Sequence, residues 1–212
     1  MQRRFKIVAF LLFAVAFCVS LINPVFPDEQ LLQHTASLAA LIIMIYLIKT
    51  NWISNLSFLL FTGFMMLHLI GARWIYTYVP YDQWSKVLFG ISLNEWFGWH
   101  RNHFDRLVHF LYGLLLYMPI QETFVKKLKF NFSQSVFVAF AVILSSSLLY
   151  ELFEWSITLF MSPYDADNYN GQQGDSWDSH KDMALAALGG MIMMVIKIIN
   201  SRISNHFHRS HP

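Results

Sequence analysis

Six ionisable side chains recur at helical spacing near the ends of apolar runs: Asp105 and His109 are four apart, Glu151 and Glu154 three apart, and Asp178 and Asp182 four apart. Residues at these intervals share one face of a helix. An acid inside a membrane helix costs several kcal/mol unless it is paired, hydrated or bound to a cation, so such groups face the bundle interior and mark function. Carboxylates brought within a few ångströms repel one another unless protons, cations or a divalent metal ion intervene. Asp105, His109, Glu151 and Asp182 therefore read as a ligand set for a divalent metal, in the manner of bundles that take carboxylate and imidazole ligands from facing helices. Glu154 or Asp178 reads as the base beside it.

A plainer reading stands next to this one. Asp105 with Arg101 or Arg106, and Asp182 with Lys181, could form interfacial salt bridges that cap and anchor helices. Of the remaining histidines, His100 and His103 precede the helix and read as solvated, and His34 and His68 as satisfied boundary residues. His206, His208 and His211 belong to a short basic tail.

These side chains must be carried by membrane helices. The 212-residue chain is 56% hydrophobic and only 13% charged, and its apolar runs near 5–22, 31–48, 53–72, 104–121, 134–157 and 182–199 have the length that crosses a bilayer. The expectation is an all-α polytopic membrane protein, a six-transmembrane-helix bundle forming one domain over residues 1–212. The first run follows "MQRR" and lacks a small-x-small cleavage site before "NPVFPDEQ", so it is read as an uncleaved first helix. Cys18 lies inside that run, where a small buried hydrophobe is expected and no internal disulfide can form.

With both termini cytoplasmic, ten of the fifteen Lys and Arg lie inside, as the positive-inside rule prefers. Twelve of the thirteen acids then lie at the outer side, Glu122 being the exception, together with six of the seven tryptophans. The loop from 73 to 103 is expected along the outer headgroups, with "VPYDQWSKVLFGI" as a short amphipathic helix. By this topology the outer ends of the last three spans deliver Asp105, His109, Glu151, Glu154, Asp178 and Asp182 to one depth.

Several motifs are excluded. "DADNYNGQQGD" has the composition of a calcium loop, but no frame puts ligands at one, three and five with glycine at six. No nucleophile elbow, phosphate loop or HExxH occurs. Gly171 and Gly174 offer positive-φ turns that would fold this loop back across the site, and "ALAALGGM" predicts close helix packing. Nothing in the sequence points to a nucleic-acid partner.

Four blocks, "GARWIYTYVP" at 71–80, "RNHFDRLVHFLYGLLL" at 101–116, "YELFEW" at 150–155 and "GQQGDSWDSHKDM" at 171–183, resemble in order and spacing the YjdF family of bacterial inner-membrane proteins. The resemblance implies a bacterial inner (plasma) membrane location and no particular activity. Family members often carry histidine where this chain has Arg73, and the position of Lys181 varies, so neither is assigned a ligand role. A fainter likeness to VanZ-type membrane proteins rests on an Asp-x3-His helix followed by acidic helices.

Two classes of function follow. One is a metal-dependent enzyme acting at the outer leaflet on a membrane lipid or lipid-linked envelope substrate. The other is a proton- or cation-coupled transporter, which needs polar groups continuing inward, where the sequence offers mainly Tyr112, Ser145 to Ser147, Gln121 and Glu122. A non-catalytic envelope scaffold is a third reading.

Overall fold

The computed structural model describes residues 2–160, 162, 166 and 171–210, with side chains for 3–160, 162, 166 and 171–203. The side chains of His206 and His208, and all of His211, lie outside the described residues, as does part of the 165–175 loop. Among the described residues the chain is helical and has no strand. In chain order the helices are α1 (Gln2–Ser20), α2 (Pro27–Thr50), α3 (Asn55–Arg73), α4 (Tyr81–Phe89), α5 (Leu93–Phe97), α6 (Phe104–Leu128), α7 (Phe132–Thr158) and α8 (Asp178–Ser210).

Local chemistry explains the ends. Pro27 opens α2 with Asp28 and Glu29 in its first turn, where a missing N–H costs nothing and negative charge meets the helix dipole. Ser54 accepts from the Ser57 amide to start α3, and Asn131 and Gln134 form a reciprocal capping box at α7.

Six long helices stand where six apolar runs were expected, but among the described residues four are long and apolar enough to cross a membrane: α2, α3, α7 and the Asp178–Ile203 part of α8. The other two have the length, 19 residues in α1 and 25 in α6. Their composition differs because α1 carries Arg3, Arg4 and Lys6, and α6 carries Asp105, Arg106, Glu122, Lys126 and Lys127. Lys6 shows how such a charge is held: fully buried, it donates to Asn51 Oδ1 and to the Ile53 carbonyl.

α6 is the centre of the bundle, packed against α3, α7 and most extensively α8. The α6–α8 contact is set by two glycines. A Cβ on Gly113 would lie 2.0 Å from the Ala186 carbonyl oxygen, and one on Gly189 would lie 2.1 Å from that of Phe110. The two backbones touch, as small residues permit. On the other side α1 and α2 pack on α3 around Phe13, Met44 and Phe58.

The expected amphipathic helix is α4, which with α5 bridges α3 and α6. Asp82 accepts from the Ser92 hydroxyl and the Asn94 amide, and Tyr81 donates to Asn94 and accepts from the His103 amide. Val87, Leu88 and Phe89 on α4, and Trp96 and Phe97 on α5, are exposed, the pattern of a segment lying at a lipid interface.

Candidate metal centre

The site is built where the first turns of α6 and α8 meet the last turns of α7. On α6 the helical repeat sets His109 Nε2 3.7 Å from Asp105 Oδ1, and α7 brings Glu151 Oε1 to 3.5 Å from the same nitrogen. α8, held against α6 by the paired glycines, contributes Asp182. One ligand atom from each of Asp105, His109 and Asp182 lies within 4.8 Å of the other two. Bonds of about 2.0–2.2 Å from nitrogen and carboxylate oxygen to a divalent ion need ligand atoms about that close, so the set fits.

A second observation is independent of this clustering. Glu151 is 6% exposed and Asp182 2%, yet Glu151 Oε1 and Asp182 Oδ1 are buried without any hydrogen-bond partner. Buried carboxylate oxygens left unsatisfied are costly and rare, and a cation is one thing that satisfies them. Glu154 lies near enough to Asp105, Glu151 and Asp182 for the charges to interact.

Asp178 is placed differently from its companions. Its Oδ1 and Oδ2 accept from Arg101 Nη1 and Nη2 at 2.7 and 2.8 Å, and Oδ1 also accepts from Arg106 Nη2 at 2.8 Å. Asp175 accepts from Arg106 at 2.6 Å and from Lys181 at 2.5 Å. The salt bridges considered for Asp105 and Asp182 thus form on Asp175 and Asp178 instead, and Asp105 and Asp182 make no ion pair with a lysine or arginine among the described residues. Lys181, the Trp177 amide and Arg106 hold the Asp175 carboxyl well below the usual carboxylate range.

The returning loop completes this latch. Gly171 and Gly174 both have positive φ, 66° and 83°, and the turn directs the Gly171 and Gln172 carbonyls onto Arg101. Gln173 clamps Asn102 by accepting from its amide and donating to its carbonyl.

His34, His68 and His103 have partners of their own. His34 bonds Ser20, Gln30 and Ser37. His68 meets the Tyr76 hydroxyl at 2.5 Å and the Gln33 carbonyl at 3.2 Å. His103 stacks on Trp99, with ring centroids 4.3 Å apart, and burial, then the charges of Arg106 and Arg101, pull its pKa down.

Sequence reasoning missed the cavity beside the cluster. It has a volume of about 350 Å³, and its wall carries Asp105 and His109 on one side and His68 and Tyr76 on another, with apolar side chains between. Tyr76 reaches it through a left-handed turn in which Ile75 and Tyr76 have φ of 43° and 57°, unusual for bulky or β-branched residues. Gly71 makes the turn feasible, since a Cβ there would lie 2.5 Å from the Tyr76 ring. The "GARWIY" glycine was the available signal.

A helical bundle with, among the described residues, four helices long and apolar enough to cross a membrane and an acid–histidine cluster at one end of its central helix is the class that fold and site define. The family described as "Predicted membrane protein (DUF2238)" matches residues 5–202, and the chain belongs to it. It is 35% identical over 128 residues to the "Inner membrane protein YjdF" of Escherichia coli (strain K12), a match covering 60% of this chain and 57% of that relative. The YjdF resemblance read from the four blocks is borne out. No solved structure matches the chain.

Proposed function

We propose that this protein is a metal-dependent enzyme of the outer leaflet of a bacterial inner membrane, acting on a lipid or lipid-linked envelope substrate. The observation that carries the reading is the convergence of Asp105, His109 and Asp182 ligand atoms within 4.8 Å of one another. The partnerless buried oxygens of Asp182 and Glu151 support it. A divalent ion held there would supply Lewis-acid polarisation and a more acidic water. Glu151 completes or orients the ligand set, and Glu154 is the base. Asp178, with both oxygens engaged by arginine, serves by fixing the start of α8 rather than by moving protons.

Transport is the lesser reading. It requires a polar path inward, and beneath the cavity Tyr117, Ala139 and Ile143, each 0% exposed, form a packed layer. A purely structural scaffold leaves the unsatisfied acids without a purpose.

The site faces outward if six helices span and both termini are cytoplasmic, which the distribution of lysine and arginine supports. With Cys18 replaced by serine, single cysteines at 127 and 205 are expected to resist impermeant reagents in intact cells; labelling of either overturns this topology. The metal is tested by elemental analysis of the detergent-purified protein. A stoichiometric divalent ion is expected in the parent chain and none in the Asp105→Asn/Asp182→Asn double variant. Absence from both after incubation with zinc or manganese refutes the metal centre.

A further inference from the structure

The cavity beside the cluster opens sideways, and the position of the opening says what enters it. Its wall is built by α2, α3, α6 and α7 together with Tyr76. α3 packs against both α2 and α6, and α6 against α7, but no comparable packing joins α2 to α7, which border the cavity on either side. The inner wall is buried: Met65, His68 and Val108 are 6%, 7% and 6% exposed. By contrast, the lining residues Thr35 and Ala36 on α2 are exposed, and so are Tyr150 and Phe153 on α7, at 38% and 52%. Side chains that line a cavity and are also exposed mark its mouth.

The medium at that mouth follows from the helices that frame it. Both α2 and α7 are apolar enough to cross a membrane, and Leu38, Ile42 and Leu149 continue their exposed surfaces. Hydrocarbon, not water, therefore meets the opening. The Thr35 hydroxyl is spent on the Leu32 carbonyl of its own helix, which leaves the rim apolar in effect. Inside, Ser147 Oγ is buried without a hydrogen-bond partner, on the cavity wall and one turn from Glu151. A cavity of about 350 Å³ is at the small end of ligand sites, roughly 300–1,000 Å³, and suits one chain rather than a whole multi-chain lipid.

We infer that the gap between α2 and α7 is a lateral portal through which a hydrocarbon chain of a membrane lipid enters the cavity from the bilayer. The substrate is then an amphiphile whose chain lies along Met65 and Val108, whose first polar oxygen accepts from Ser147, and whose head meets Asp105 and His109. The assignment of the head rests on the metal-centre reading; the portal itself does not.

The test reconstitutes the full chain in vesicles containing phosphatidylethanolamine with a diazirine at the end of one acyl chain, followed by irradiation and mapping of adducts by mass spectrometry. Adducts are expected on the buried residues Met65 or Val108 as well as on the lipid-facing Ile42 and Leu149. Thr35→Trp or Ala36→Trp, each filling the rim at an exposed position, should lower the interior adducts several-fold and leave the exterior ones unchanged. Adducts confined to the exterior of the parent chain overturn the portal, and that comparison holds even if a rim variant fails to fold. Interior adducts that persist undiminished in both folded rim variants also overturn it. In the Asp105→Asn/Asp182→Asn chain the interior adducts should remain, so failure of the metal centre and failure of the portal give different results.

Discussion

Arg101 grips Asp178 with two parallel hydrogen bonds, Nη1 to Oδ1 at 2.7 Å and Nη2 to Oδ2 at 2.8 Å. This forked contact joins the residue three before α6 to the first residue of α8, while the same guanidinium holds the Gly171 and Gln172 carbonyls. Asp178 is 2% exposed, so removing its charge strips Arg101 of its forked partner and leaves Arg101 and Arg106 to share Asp175 in a partly buried setting. Asp178→Asn should destabilise by about 3–5 kcal/mol, the usual cost of breaking a buried pair. Arg101→Lys, which keeps charge and loses the fork, should cost less but still shift the same transition. Thermal unfolding in detergent measures both, and a wild-type midpoint for Asp178→Asn would remove the latch from the account.

Acid should not open this latch early. The folded Asp175 carboxyl lies below its ordinary range because of Lys181 first, then the Trp177 amide and Arg106. A depressed folded pKa contributes stability that is fully present above the unfolded value, about 3.9, and is lost only as pH falls through the lower folded value. Hydrogen exchange over 171–178, corrected for intrinsic rates, should show constant protection from neutral pH down to about 4.5. Protection that fades across that interval would contradict the assignment.

The glycine contact between α6 and α8 should control the metal centre from a distance. Gly189→Ala puts a methyl group 2.1 Å from the Phe110 carbonyl oxygen, and overpacking of this kind costs about 1–3 kcal/mol or moves the helices apart. Separation would carry Asp182 away from Asp105 and His109, so metal content should fall together with the unfolding temperature. Gly63→Ala is the control, since nothing lies within 4 Å of its Cβ; it should change stability by no more than about 1 kcal/mol. Unaltered metal content in Gly189→Ala would separate the packing from the site.

Asn substitutions test ligation. Asp182 lies one turn inside α8, which begins at Asp178, and its Oδ1 is buried without a hydrogen-bond partner, so Asp182→Asn removes a ligand charge rather than a helix cap. As a ligand it cannot be replaced. Asp105→Asn and Asp182→Asn are each expected to leave the protein inserted and folded while abolishing metal retention, with the double variant no worse than either. Glu151→Gln should impair retention more than Glu154→Gln, because Glu151 stands 3.5 Å from His109 Nε2. Full metal retention in both single Asp variants, measured by elemental analysis, would dissolve the shared site.

The sequence by itself determined the helical membrane class, because apolar runs of spanning length are local properties. It also determined that Asp105 shares a face with His109, and Gly171 and Gly174 their positive φ, since helical repeat and backbone freedom are written residue by residue. Which acid meets which cation was not local. Arg101, four before Asp105, passes it to reach Asp178 on another helix, and Lys181, adjacent to Asp182, turns to Asp175. Only the packing of α6 on α8, through Gly113 and Gly189, decided that Asp105, His109 and Asp182 converge without a lysine or arginine counter-ion among the described residues. The cavity belongs to the same category: α2 and α7 are distant in sequence, and the space between them exists because α2 packs on α3 and α7 on α6 rather than on each other.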